Sequence, residues 1–168
     1  INIELNYKGY SKVPTITSAI VIVDDNKDTF LLLGSEGSGS GIYAFKQDSK
    51  ASFTETSRVS APTIMNSNGK SGAYSEVLHA DIDGDGLMDV VVGIFDEPNQ
   101  VIWNEGGDII YGNYTNLPGD SLNTEAAALV YLNGNGKIDM VVGNRDRSNK
   151  VLSNRGNRVF DVLINLPG

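Results

Sequence analysis

The strongest constraint on this chain is that it repeats itself. Asn99-Gln-Val-Ile-Trp-Asn-Glu-Gly106 returns 50 positions later as Asn149-Lys-Val-Leu-Ser-Asn-Arg-Gly156. At the same interval Met88-Asp-Val-Val-Val-Gly93 returns as Ile138-Asp-Met-Val-Val-Gly143, and Asn116-Leu-Pro-Gly119 returns as Asn165-Leu-Pro-Gly168 after 49. A weaker copy precedes these two, with strand-like runs at Ser18–Val23, Phe30–Gly34 and Ile42–Phe45. Repetition of this kind means one supersecondary unit used several times, each copy burying its neighbour's apolar face.

The unit reads as four short strands, near Glu76–Ala80, Met88–Ile94, Val101–Asn104 and Asp108–Tyr114 in the middle copy. The β-branched run Val90-Val91-Val92 favours strand over helix. Four-stranded antiparallel units recurring about every 50 residues are the pattern of propeller blades. The expected fold class is therefore all-β: propeller-type blades of four antiparallel strands, about three of them, in one domain over 1–168. The copies divide as 13–73, 74–119 and 120–168. Residues 1–12 read as an extra strand: Asn2–Tyr7 alternates polar and apolar, so Ile1–Tyr10 resembles the outer strand of a blade whose remainder lies elsewhere. An insertion at Ser60–Gly72 is a candidate partner contact or a plain surface loop.

Composition narrows the class. With 19 glycines and apolar runs bounded by Gly, Asn, Asp and Ser, the chain suits repeated strands rather than a helical bundle. A formal net charge of −8 argues against nucleic-acid binding, because nothing offsets phosphate repulsion. There is no cysteine, so disulfides are excluded. No apolar run approaches the roughly 18 residues of a membrane span. The chain begins at Ile1 with neither Met nor a signal peptide, as expected of a processed protein or part of a longer one.

One stretch states a chemistry. In Asp81-Ile-Asp-Gly-Asp-Gly-Leu-Met-Asp89 four carboxylates (Asp81, Asp83, Asp85 and Asp89) fall on alternate positions, and Leu87 stands where a backbone carbonyl could add a fifth oxygen. Dense hard oxygen donors with glycine at the bend suit Ca²⁺. Without a cation the four charges would repel one another. An EF-hand is excluded, since its loop needs Glu at position twelve and a helix after it; here that position is Val92 in a strand-like run. The loop is expected to join two antiparallel strands.

The acidic loop, three apolar residues and Gly, then an apolar strand, Asn and a Gly-containing turn together resemble the FG-GAP/VCBS repeat. That family builds the β-propellers of integrin α-subunit heads and of many secreted proteins. The resemblance spans the chain from about residue 17 and is sharpest in the middle copy. It implies Ca²⁺ as the cofactor, held by Asp81, Asp83, Asp85 and Asp89 with the Leu87 carbonyl. In the third copy the ligand places fall on Tyr131, Asn133, Asn135 and Asp139. Asn133, Asn135 and Asp139 there make either a weak site or an Asn/Gly hairpin held by its own hydrogen bonds. The first copy offers Ile22, Asp24, Asn26, Asp28 and Phe30, with apolar residues at both ends. One strong site is expected.

No catalytic constellation accompanies the loop. There is no thiol, no G-x-S-x-G elbow and no phosphate-cradling loop, and the single histidine, His79, reads as a strand residue. Tyr43, Trp103, Tyr111 and Tyr114 suit either a core between blades or a sugar-stacking surface. Asn113-Tyr114-Thr115 is the one glycosylation sequon. The reading is a non-enzymatic, extracellular, calcium-binding module for adhesion, recognition or assembly. Two alternatives stand: a structural subunit of a surface filament or matrix, and a carbohydrate-binding accessory module of a secreted enzyme. The expected partner is a protein, a glycan or copies of the chain itself, since three blades plus a strand would leave bare sheet edges. Neither nucleic acid nor membrane insertion is expected.

Overall fold

The computed structural model describes residues 15–23, 27–36, 41–47, 53–59, 74–106, 113–119 and 123–166. These form three four-stranded antiparallel sheets. The first contains β1 (Thr15–Val23), β2 (Thr29–Glu36), β3 (Ile42–Gln47) and β4 (Phe53–Val59) in chain order. β5 (Tyr74–Ala80), β6 (Asp89–Ile94), β7 (Gln100–Ile102) and β8 (Tyr114–Asn116) make the second. The third holds β9 (Thr124–Val130), β10 (Asp139–Asn144), β11 (Asn149–Gly156) and β12 (Val159–Leu166). Among the described residues no helix is long and apolar enough to cross a membrane.

The sheets pack face against face, and this explains the triple apolar runs. In β6, Val90 and Val92 point into a core shared with Phe30, Leu32, Ile42 and Ala44 of the first sheet. Val91 between them points the other way, into a core with Met140, Val142, Leu152 and Phe160 of the third. A strand covered on both faces has no place for a polar alternate. The run Leu31-Leu32-Leu33 follows the same rule: Leu32 joins the core with the second sheet, while Leu31 and Leu33 cluster with Tyr43 and Phe45 on the opposite face. Burying each such side chain contributes about 1.5–3 kcal/mol.

The glycine closing the second strand of a sheet sets how near the next sheet can come. A Cβ on Gly34 would lie 2.8 Å from Val77 Cγ2, and one on Gly93 would lie 3.1 Å from Thr124 Cγ2. Both positions therefore admit β5 and β9 only because no side chain is there. Across the first of these junctions the Val77 N–H donates to Ser18 Oγ at 3.0 Å.

One strand expectation needs correction. The third strand of the middle sheet ends at Ile102 rather than Asn104, although the Trp103 N–H still donates to the Asn113 carbonyl at 2.7 Å. Of the fourth, expected at Asp108–Tyr114, only Asn113 and Tyr114 are described, and Tyr114 opens the strand Tyr114–Asn116 that pairs with Gln100–Ile102. Residues 107–112, with Tyr111, lie outside the described residues, as do the expected strand at Ile1–Tyr10 and the insertion at Ser60–Gly72.

Candidate metal centre

The acidic loop joins β5 to β6, and the antiparallel register brings Ala80 opposite Asp89 at its base. Gly84 and Gly86 adopt φ of 84° and 93°, a left-handed backbone that side-chain-bearing residues avoid. This curl turns the alternate carboxylates inward. Asp81, Asp83 and Asp89 each offer an oxygen to a group whose members all lie within 4.8 Å of one another. Among the described residues it is the one such acidic group. Asp85 stays outside it, its Oδ1 accepting the Leu87 N–H at 2.8 Å. The structure thus gathers three of the four expected carboxylates.

Backbone donors hold these acids in place. Asp81 accepts from the N–H groups of Gly84 (2.8 Å) and Gly86 (3.0 Å), and Asp83 from that of Asp85 (3.2 Å). Asp89 is fully buried and accepts from Ile82 N–H and Asn104 N–H, both at 2.9 Å. Burial pushes the Asp89 carboxyl above the ordinary carboxylate range, the bonds from Asn104 and Ile82 pull it back, and the charges of Asp83 and Asp85 push it up again. A buried carboxylate facing like charges is a group that a cation would stabilise. The donor set, all hard oxygens beside a glycine-permitted bend, fits Ca²⁺.

The loop is also clamped from the third sheet. Arg158 Nε donates to Asp83 Oδ2 at 2.9 Å and Arg158 Nη1 to Glu105 Oε1 at 2.7 Å. The guanidinium lies 4.8 Å from the centre of the Trp103 ring. Asn154 Nδ2 reaches the Ile82 carbonyl at 2.9 Å. Sequence reasoning missed Arg158 and Glu105, because the residue 50 positions before Arg158 is Asp108, of opposite charge. Asn104 and Asn154 were visible as repeated residues but not as brackets. Each accepts the N–H two residues on, from Gly106 and Gly156 respectively.

The third copy of the loop, between β9 and β10, is built alike and filled differently. Asp139 is fully buried and accepts from Leu132 N–H (3.1 Å) and Asn154 N–H (2.8 Å). Asn133 Nδ2 points inward, donating to Asp139 Oδ1 at 3.2 Å and Ser153 Oγ at 2.8 Å. Asn135 Nδ2 donates to the Asn154 carbonyl at 3.0 Å. Amide hydrogens occupy the direction in which ligand oxygens would have to face. In the first copy, Asp28 pairs with Lys46 of β3; residues 24–26, with Asp24 and Asn26, lie outside the described residues.

The remaining candidates fall in different surroundings. Trp103 and Tyr43 are buried, at 1% and 0% exposure, so neither offers a sugar-stacking face. Trp103 Nε1 donates to Thr115 Oγ1 at 2.8 Å. Tyr114 and His79 are exposed on their strands. Asn113 is exposed too, with its side-chain amide donating to Glu105 Oε2 at 3.0 Å. No protein-family model and no curated protein matches the chain.

Proposed function

We propose that this chain is a non-enzymatic, calcium-stabilised module of the FG-GAP/VCBS propeller type, working outside the cell in adhesion, recognition or assembly. The observation that carries the reading is the convergence of Asp81, Asp83 and Asp89 on a hairpin whose bend depends on Gly84 and Gly86. These three carboxylates would hold the ion, with Asp85 and the Leu87 carbonyl completing the oxygen set. The ion would supply charge neutralisation and rigidity to the hairpin. Millimolar free calcium outside the cell suits a loop of this kind. The resemblance rests on the loop motif and the 50-residue repeat.

Calorimetric titration with CaCl₂ tests the site. One ion per chain is expected for the wild type, and none for Asp83→Ala. Equal uptake by the two would remove Asp83, and with it the assignment.

Assembly has its own supporting observation. Edge strand β12 exposes Val159, Val162, Leu163 and Ile164, at 37–50% of their surface. An apolar edge strand favours pairing with another chain, and the one charge on β12, Asp161, is already answered by Arg155 of β11. Light scattering should find the wild type larger than a monomer and Ile164→Lys reduced in mass; an unchanged mass would count against this edge.

A further inference from the structure

Arg158 does more than decorate the loop. It projects from the two-residue turn between β11 and β12, where Asn157 (φ 52°) and Arg158 (φ 63°) both take left-handed backbone, the arrangement a type I′ hairpin requires. From the third sheet it crosses to the second, where it meets two carboxylates and an indole: Asp83, Glu105 and Trp103. Its partner Asp83 has only 11% of its side chain exposed, against 31% for Arg158 itself. This is not a solvated surface pair of the kind that contributes almost nothing. Asp83 Oδ1 is already engaged by the Asp85 N–H, so the guanidinium holds the second oxygen of the same carboxylate.

We propose that Arg158 is a resident rival cation, and that a divalent ion entering the Asp81–Asp89 loop must loosen the Arg158–Asp83 contact between the second and third sheets. The inference rests on the reading of this loop as a calcium site and names what sets its affinity. A positive charge fixed beside one ligand carboxylate raises the free energy of bringing a second cation to it. It also stabilises the loop when no ion is bound, because one of the three crowded carboxylates, Asp83, then has a cationic partner. Coupling is reciprocal: whatever weakens ion binding through Arg158 is equally the amount by which the ion weakens the latch. The affinity of a loop in one sheet is thereby set from the next.

The test uses the whole chain with CaCl₂ alone as the probe. Arg158→Gln keeps an amide donor near Asp83 and removes the charge; Arg158→Lys keeps the charge and loses the fork. Calorimetry should give about tenfold tighter calcium binding for Arg158→Gln than for the wild type, with Arg158→Lys close to wild type. In EDTA, Arg158→Gln should melt below the wild type, and saturating calcium should narrow that gap. Trp103, the only tryptophan, lies under the guanidinium and reports the latch directly. Its fluorescence should change on calcium addition in the wild type and change less in Arg158→Gln. Should Arg158→Gln bind equally or more weakly while the wild type binds, Arg158 orients the ligand instead, and this inference alone falls. If neither protein takes up calcium, the calcium reading of the loop falls, and this inference with it.

Discussion

Asp89 and Asp139 stand at the same point of two hairpins, and the backbone treats them alike. Each is fully buried and accepts one N–H from its own loop and one from the equivalent asparagine, Asn104 just past β7 or Asn154 on β11. What differs is how the charge is answered. In the second sheet Asp89 faces Asp81 and Asp83, and the nearest cation is borrowed from another sheet through Asp83. In the third sheet the amide of Asn133 answers Asp139 directly. The change from Asp83 to Asn133 turns an oxygen into a donor and, with Tyr131 in the place of Asp81, a repulsive cluster becomes a hydrogen-bonded network. One scaffold therefore carries both a loop of converging carboxylates and a loop whose buried carboxylate is answered by an amide.

The sharpest way to break this comparison is to remove both aspartates. Asp139→Ala should destabilise the chain by about 3 kcal/mol, because the buried Asn154 N–H, the half-buried Leu132 N–H and the Asn133 amide lose their acceptor. The loss should be the same in EDTA and in calcium. Asp89→Ala should cost less than Asp139→Ala in EDTA, since it also relieves repulsion from Asp83 and Asp85, and more in calcium, since it removes a ligand. Urea unfolding under the two conditions checks both; calcium-dependent stability of Asp139→Ala relative to wild type would refute the division.

A second prediction converts one loop into the other. Placing Asp at positions 131, 133 and 135 (Tyr131→Asp, Asn133→Asp, Asn135→Asp) rebuilds the acidic pattern on a bend that Gly134 and Gly136 already hold at φ of 72° and 75°. Calcium uptake should rise from one ion per chain to two. Ion-free stability should fall by about 1–2 kcal/mol, as crowded like charges replace hydrogen bonds. If uptake stays at one, surroundings rather than ligand identity decide occupancy.

The contrast also marks what the sequence could reveal. The strands were legible because a sheet covered on both faces needs uninterrupted apolar runs, and Val90-Val91-Val92 and Leu31-Leu32-Leu33 are such runs. The grouping of Asp81, Asp83 and Asp89 was legible because their spacing is local. Arg158 was not, since it meets Asp83 across 75 residues and has no counterpart in the neighbouring repeat. Nor was the inward turn of the Asn133 amide, which depends on Ser153 of another strand. Of the fourth strand expected at Asp108–Tyr114 only the last two residues are described, and pairing to β7 falls on Tyr114–Asn116, beyond where the local pattern placed its end. Local pattern finds elements; pairing across the sheet decides their register.

Asn133→Ala is a milder probe. It removes the amide bonds to Asp139 and Ser153 and the acceptor for the Asn135 N–H, yet Asp139 keeps both backbone donors. A loss of about 1 kcal/mol is expected, with calcium uptake unchanged. A drop in uptake would make the third loop a metal site after all.

The first sheet supplies the smallest effect and the third variant of the same problem. Its loop retains Asp28, which pairs with Lys46 of the same sheet, and the Lys46 ammonium also lies 5.8 Å from the centre of the Phe30 ring. Both side chains are more than a third exposed, at 41% and 37%, so water screens the attraction. Lys46→Gln should change stability by less than about 1 kcal/mol and should leave calcium stoichiometry as it was. Arg158 and Lys46 thus separate by depth and by span: one crosses between sheets onto a nearly buried carboxylate, the other stays at the surface of its own. If Lys46→Gln proved as costly as Arg158→Gln in EDTA, crossing between sheets would not be what gives Arg158 its weight, and the charge alone would be.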